Sequence, residues 1–211
     1  MIDLIGISGK KQTGKDTVCK TIKMLEIESC ADTIVRALQK KSDDNDCVEI
    51  WEKRSFANTL KICIAEILGC HPLALEDEKF KESKIEWLTD DKGEPYTVRR
   101  FLQEFGTDVG RRISPMIWCM PLMRKYDEIK REQHPYWIIT DVRFECEAEE
   151  IKKRGGLLIR INRPSIERKM HEHESETALD NYAHFDEVIT NDGSLLDLVE
   201  KVSKIREKHT L

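Results

Sequence analysis

At 211 residues, with 39% hydrophobic and 36% charged side chains, the chain has the length of about one domain and the make-up of a soluble globular protein with heavily charged helix surfaces. A formal net charge of -5 and a pI of about 5.8 argue against nucleic acid polymers as partners. No apolar run approaches the ~20 residues of a membrane span, and Met1-Ile2-Asp3 is acidic where a secretion signal is basic, so a cytoplasmic protein without a membrane partner is expected.

The seven cysteines, Cys19, Cys30, Cys47, Cys63, Cys70, Cys119 and Cys146, are scattered and form no C-x-x-C pair. That pattern suits reduced, buried thiols better than a disulfide framework or a zinc site. His171-x-His173 lies in a charged stretch without a nearby third ligand and reads as a solvated loop.

In chain order, Ile2, Leu4, Ile5 and Ile7 form a short apolar strand that Ser8-Gly9 ends. The run Gly9-Lys10-Lys11-Gln12-Thr13-Gly14-Lys15-Asp16-Thr17 has the spacing of a phosphate-binding loop, with glycines that let backbone N–H groups curl around oxyanions. Lys15 then stands where its ammonium reaches terminal phosphates, at the positive end of the next helix. Val18, Ile22 and Leu25 recur at helical spacing, and Ala31, Ile34, Val35 and Leu38 extend that helix or form another. Lys40 to Asp46 is turn-like, and Cys47 to Trp51 reads as the second strand.

A helix from Ser55 carries Leu60, Ile64, Ile67 and Leu68 and ends at Gly69. Leu73 to Leu88 reads as largely helical and charged, and Asp90 to Pro95 as a turn. Thr97 caps a helix in which Val98, Phe101, Leu102 and Phe105 share one buried face, interrupted by Gly106-Thr107-Asp108. Tyr136 to Thr140 is a continuous apolar strand, followed by a helix from Glu145 to Arg154 and a strand from Leu157 to Ile161. A charged segment runs to Asn181, Glu187 to Thr190 is the last strand, and Ser194 caps a final helix with Leu195, Leu198, Val199, Val202 and Ile205. Strands alternating with helices predict an α/β fold with a parallel sheet of about five strands, covered by helices on both faces, in a single domain.

Ligands of such sheets sit at the carboxyl ends of the strands. That rule selects Asp141, which can reach Mg²⁺ or its waters, and Arg143, whose guanidinium can grip a phosphate through two bonds. Arg99 and Arg100, with Gln103, Gly106 and Thr107, compose an anion and amide pocket. Trp118 suits either the core or stacking on a base, and Arg163 and Arg168 suit either an arginine-bearing lid or an exposed loop. Cationic groups beyond a phosphate loop fit phosphoryl transfer to a second anion better than hydrolysis. A phosphate acceptor is already ionised at neutral pH and needs no general base, which agrees with the scarcity of catalytic-looking histidines.

These residues together resemble the bacteriophage and viral deoxynucleoside monophosphate kinases, a branch of the P-loop kinases. The resemblance runs through the loop Ser8 to Thr17, Phe56-Ala57-x-x-Leu60-Lys61, Val98 to Asp108, Thr140-Asp141-Val142-Arg143-x-x-x-Glu147, Arg163-Pro164 and Val188-Ile189-x-Asn191-Asp192-Gly193-Ser194. It implies an adenylate-kinase-like core with monophosphate-binding helices at about 55–120 and a lid at about 163–181. It also implies transfer of the γ-phosphoryl group of ATP, with Mg²⁺, to a deoxynucleoside monophosphate. By similarity, Lys15, Arg143 and Arg163 would carry the catalysis. Gly9, Gln12, Gly14, Lys15, Asp16 and Thr17 would hold the ATP phosphates, and Asn191 and Gly193 would border the adenine. Lys11, Lys61, Arg99 or Arg100, Gly106, Thr107, Trp118, Asp141, Arg143 and Glu147 would line the monophosphate site. Asp16 stands where a magnesium-binding hydroxyl is usual, so Thr17 and Asp141 would serve the metal mostly through water. A homodimer, common among small kinases, is compatible with the family.

Two other readings share the loop. The Lys81-Glu82 and Glu174-Ser175-Glu176…Leu179-Asp180-Asn181 runs are similar to those of animal-type phosphomevalonate kinases. A plain ATPase or nucleotide-binding module would keep the loop without needing Arg143 and the Arg99–Thr107 helix together. The base-sized, aromatic-capable Arg99–Trp118 region favours the nucleotide acceptor.

Overall fold

The computed structural model describes residues 2–40, 50–133, 135–165 and 173–211. In chain order its elements are β1 Leu4–Ser8, α1 Lys15–Leu25, α2 Ala31–Lys40, β2 Trp51–Arg54, α3 Ala57–Leu68, a 3₁₀ turn Pro72–Glu76 and α4 Glu78–Lys81. They continue with β3 Lys84–Thr89, β4 Pro95–Thr97, α5 Val98–Glu104, a π-helical stretch Phe105–Arg111, α6 Cys119–Lys130 and β5 Tyr136–Val142. The last are α7 Glu145–Lys153, β6 Leu157–Asn162, α8 Glu174–Thr177, β7 Glu187–Thr190 and α9 Leu195–His209. Two compact units result, one from the residues up to Ser55 together with Lys125–Leu211, the other Phe56–Arg124.

The first unit is built on a five-stranded sheet in the order β2-β5-β1-β6-β7. All its pairings are parallel, with Ile5 opposite both Ile138 of β5 and Leu157 of β6. Every residue of β1 is buried, as a central strand covered on both faces requires. Ile5, Ile7, Ile138, Ile159 and Ile161 face a core closed by Val18 and Ile22 of α1, Ile34 of α2, and Leu198, Val199 and Val202 of α9. On the opposite face Gly6 leaves room for α7: a Cβ there would stand 2.6 Å from Ile151 Cδ1. Tyr126 of α6 packs edge-on against Trp137 at 5.3 Å and donates its hydroxyl to Asp3 at 2.6 Å. The expected architecture, a parallel sheet of five strands flanked by helices, is the one found.

In the second unit, Ile64, Ala65, Leu75, Ile85 and Val98 form the core, with Leu60, Phe101 and Phe105 against them. The strands β3 and β4 pair antiparallel. Thr97 Oγ1 accepts the N–H of Arg100 at 3.1 Å, the cap expected for α5. The helix does not stop at Gly106: it continues with π-helical turns to Arg111. That wider turn brings Gly110 onto the Trp118 ring, where an added Cβ would meet Cζ2 at 2.3 Å.

Three expectations therefore change. Leu73 to Leu88 is not one helix but a 3₁₀ turn, a short helix and a strand, because Pro72 and the Asp77 cap each restart the backbone and Lys84–Thr89 finds a partner in β4. The second strand runs on past Trp51 to Arg54, pairing with Tyr136–Ile139, and does not include Ile50; residues 47–49 and most of the expected turn 40–46 lie outside the described residues. Cys19 and Cys119 are buried as expected, whereas Cys30 and Cys63 are exposed.

The Gly110 contact gives a stability prediction. Gly110→Ala should cost about 1–3 kcal/mol in urea unfolding and shift Trp118 fluorescence, because the ring has to move off a new methyl group. Unchanged stability and emission would show that the π turn is not closed against Trp118.

Candidate active site

The site of interest begins where β1 ends. Gly14 has φ +104, which an L side chain rarely adopts, and a Cβ there would stand 2.8 Å from Asn191 Nδ2. Gln12 also takes a left-handed conformation, φ +64, a geometry that costs a residue with a side chain about 1 kcal/mol or more. The loop is braced all round. Thr13 Oγ1 donates to Lys10 O at 2.9 Å, Asn191 Nδ2 to Thr13 O at 2.9 Å, and Arg163 Nη1 to Gln12 O at 3.3 Å. Helix α1 starts at Lys15 with Gly14 as its N-cap, and no side chain caps it. Its first N–H groups are left to an anion, the usual arrangement of a phosphate-binding helix start.

Lys15 turns back into the loop and donates to Gly9 O and Lys10 O, each at 2.6 Å. Burial lowers its pKa to about 8, with the neighbouring Arg143 charge the next contribution and Glu176 and Asp16 opposing both. At the end of β5, Glu147 is buried, and its Oε2 accepts the N–H groups of Arg143 at 2.7 Å and Phe144 at 3.1 Å. Those bonds fix the backbone from which Arg143 springs. Its guanidinium bonds Glu176 Oε1 and, at 3.3 Å, the Ser175 carbonyl. Glu176 Oε2 in turn accepts the Lys11 N–H of the loop at 3.3 Å. Burial alone would raise the Glu176 carboxyl, but the Arg143 charge and hydrogen bond, with Lys15, outweigh it and hold it below the ordinary glutamate value.

A further arginine lies beneath the loop. Arg160 of β6, nearly buried, donates to Ser8 Oγ at 3.0 Å and Asp180 Oδ1 at 2.7 Å. A cavity of about 610 Å³ opens here, lined among others by Lys10, Arg160, Arg163, Asp180, Tyr182 and Phe185.

Asp141, expected with Thr17 to serve the metal, and Asp16, expected at the ATP phosphates, are both held by other side chains. Asp141 Oδ2 accepts the Ser55 hydroxyl at 2.7 Å, and Asp16 pairs with Lys53 at 2.6 Å. Burial would raise the Asp16 carboxyl, yet the Lys53 bond and charge bring it below the ordinary value. Among the described residues no cluster of three His, Cys, Asp or Glu side chains stands ready for a metal. A phosphate loop with free helix N–H groups, cationic walls and no cluster of carboxylates ready for a metal among the described residues fits Mg²⁺ arriving on nucleotide phosphates, where Thr17 and Asp141 would meet its waters.

The candidates of the second unit are engaged among themselves. Lys61 pairs with Glu76 at 2.6 Å, and Arg99 with Glu78 and Glu82. Arg100 bonds Asp90 at 2.9 Å and Glu104 at 2.7 Å and lies 4.1 Å from the Tyr96 ring centroid. Trp118 is 6% exposed and gives its indole N–H to Gly106 O at 2.7 Å. Of its two expected readings, the free molecule shows the core one. Thr107 is half-buried on the π turn. Arg168 and His171 lie outside the described residues, as does most of the lid's middle, 166–172.

Glu176, Arg160, Ser55 and Lys53 went unnoticed as site residues. Glu176 and Arg160 had a signal, the first in the Glu174-Ser175-Glu176 run and the second as a charge inside an apolar strand.

A parallel β2-β5-β1-β6-β7 sheet with a phosphate loop after its central strand defines a P-loop α/β fold of the kinase type. The family model described as deoxynucleotide monophosphate kinase matches residues 37–202, and the chain belongs to that family. It is 31% identical, over 71% of its length and 80% of the other's, to a protein of Acanthamoeba polyphaga mimivirus provisionally named deoxynucleotide monophosphate kinase. The deoxynucleotide monophosphate kinase of Escherichia phage RB69 is 25% identical over 97% of this chain and 99% of that protein. The phage T4 protein of the same name is 29% identical over 60% of this chain and 55% of its own length.

The depressed Lys15 predicts a pH dependence. Phosphate oxygens favour the ammonium form, which the free protein holds below about pH 8 and loses above it. ADP affinity measured by calorimetry should therefore fall as pH rises through about 8, toward tenfold per unit. A flat profile from pH 7 to 9.5 would contradict the placement of Lys15.

Proposed function

We propose that the chain transfers the γ-phosphoryl group of Mg-ATP to a deoxynucleoside monophosphate, giving ADP and the deoxynucleoside diphosphate. The observation that carries the reading is the desolvated Lys15 inside a braced phosphate loop, with Arg143 close enough to depress its pKa. One such cation serves a nucleotide triphosphate; a second, at the end of the neighbouring strand, suits a second phosphate. The family and the names of its viral and phage members supply the nucleotide character of that acceptor.

In this proposal Gly9, Gln12, Gly14, Lys15, Asp16 and Thr17 receive the ATP phosphates, with Asn191 and Gly193 toward the adenine. Lys15 exchanges the Gly9 and Lys10 carbonyls for phosphate oxygens, a trade favoured because burial has already stripped its water. Bound Mg²⁺ would neutralise charge on the phosphates. Arg143 grips the phosphate in transfer and Arg163 closes over the loop it already touches. No side chain removes a proton, since the acceptor oxygen is ionised; alignment and charge neutralisation are the protein's work. Lys11, Asp141 and Glu147 belong to the acceptor side of the first unit. In the second unit, taken by itself, Lys61, Arg99, Arg100, Gly106, Thr107 and Trp118 are the proposed acceptor-binding residues, and its cations would have to give up present carboxylate partners. With viral and phage relatives, the host cytoplasm is the proposed place of action.

A coupled ADP-release assay with Mg-ATP and dTMP, dGMP, dCMP or dAMP tests the reading. Lys15→Ala should lower turnover by about 10³-fold or more; near-normal turnover would sink the site. Arg143→Ala should raise the acceptor KM and lower kcat while leaving the ATP KM within about threefold. Unchanged acceptor kinetics would mean the acceptor phosphate lies elsewhere.

A further inference from the structure

Glu176 is an anion where the chemistry calls for cations. It sits on α8, which His173 starts by accepting the Ser175 N–H at 3.2 Å, and it reaches two parts of the site at once. One carboxylate oxygen takes the Lys11 N–H of the phosphate loop; the other takes the Arg143 guanidinium, to which the adjacent Ser175 carbonyl also bonds. Both α8 bonds use Nη1 of Arg143. The Nη2 and Nε edge of the guanidinium is thereby aimed away from α8, and that edge offers two parallel donors to a phosphate. Glu147 meanwhile holds the backbone of the same residue. Arg143 is thus fixed at both ends, at its amide by Glu147 and at its tip by Glu176.

We infer that Glu176 is a positioning residue for phosphoryl transfer, holding the Arg143 guanidinium against the phosphate loop so that its second edge meets the transferred group. The inference rests on the proposed kinase reading. A long arginine left to itself samples many rotamers, and a misplacement of about 1 Å at the reacting group costs on the order of a hundredfold in rate. The competing role for a carboxylate among Lys15, Arg143 and a loop N–H is that of a stand-in for phosphate, which would make Glu176 a competitor of the nucleotide. The two roles predict opposite signs on its removal.

The experiment compares wild type, Glu176→Gln, Arg143→Ala and the double variant, by steady-state kinetics with Mg-ATP and a deoxynucleoside monophosphate and by calorimetry with ADP. A positioning role predicts that Glu176→Gln lowers kcat about 10- to 100-fold and leaves ADP affinity within about threefold of wild type. It further predicts that the same change costs less than about threefold when Arg143 is already alanine, since the effect travels through that residue. Glu176→Ala serves as the second variant if glutamine keeps enough of the hydrogen bond to mask the loss. Tighter ADP binding with unchanged kcat would overturn the inference in favour of the phosphate stand-in. An undiminished loss in the Arg143→Ala background would overturn it too. If wild type itself turns over no deoxynucleotide, the kinase reading fails; if wild type is active and neither Glu176 variant differs from it, only this inference fails.

Discussion

Positive charge gathered at the carboxyl edge of a buried parallel sheet is the constraint around which the first unit is arranged. Lys15 follows β1, Arg143 follows β5 and Arg160 lies within β6. Unit charges about 6 Å apart at an effective dielectric of about 20 repel by about 3 kcal/mol, so such a set needs counter-charge or it drives the loop apart. The free molecule supplies it from the segment that leads back to β7: Glu176 to Arg143 and Asp180 to Arg160. The remaining share is taken by carbonyls of the loop, which hold the Lys15 ammonium. A polyanion entering this place relieves the repulsion that the protein otherwise has to balance internally.

This view explains why the loop spends backbone strain at Gln12 and tolerates no side chain at Gly14. The curl that turns the Gly9 and Lys10 carbonyls onto Lys15 also seats Asn191 against Thr13. The phosphate site is held from β7 and from the stem of the expected lid as well as by its own glycines. In the second unit the logic runs the other way. Arg99, Arg100 and Lys61 each have acidic partners at their own surface, so an anion binding there would have to displace a carboxylate.

Much of this was legible in the amino-acid order because local rules and tertiary packing agree there. The apolar run of β1, the glycine spacing, the Thr97 and Ser194 caps and the continuous apolar β5 each state their structure in a few residues. Leu73 to Leu88 misled because it is densely charged and offers few apolar residues to fix a period, while its last residues form a strand whose partner, β4, lies across a turn. The π turn was hidden for a similar reason: Gly106 looks like a break until Leu60 is seen filling the space above it, as Trp118 does above Gly110. Among the candidate site residues, Lys15 was read from the glycine spacing of the loop, and Arg143 and Asp141 from the end of a strand. Glu176 was not, since its role depends on a contact 33 residues along the chain from Arg143 and 165 from Lys11.

The most direct test of the account is the fate of the γ-phosphoryl group itself. ATP labelled at the γ-phosphorus, incubated with the protein, Mg²⁺ and a single deoxynucleoside monophosphate, should deliver its label to the deoxynucleoside diphosphate in step with ADP formation. Label appearing only as inorganic phosphate, at a rate indifferent to the monophosphate, would contradict it: the loop would then serve hydrolysis or plain nucleotide binding, and Arg143 would have no second phosphate to hold.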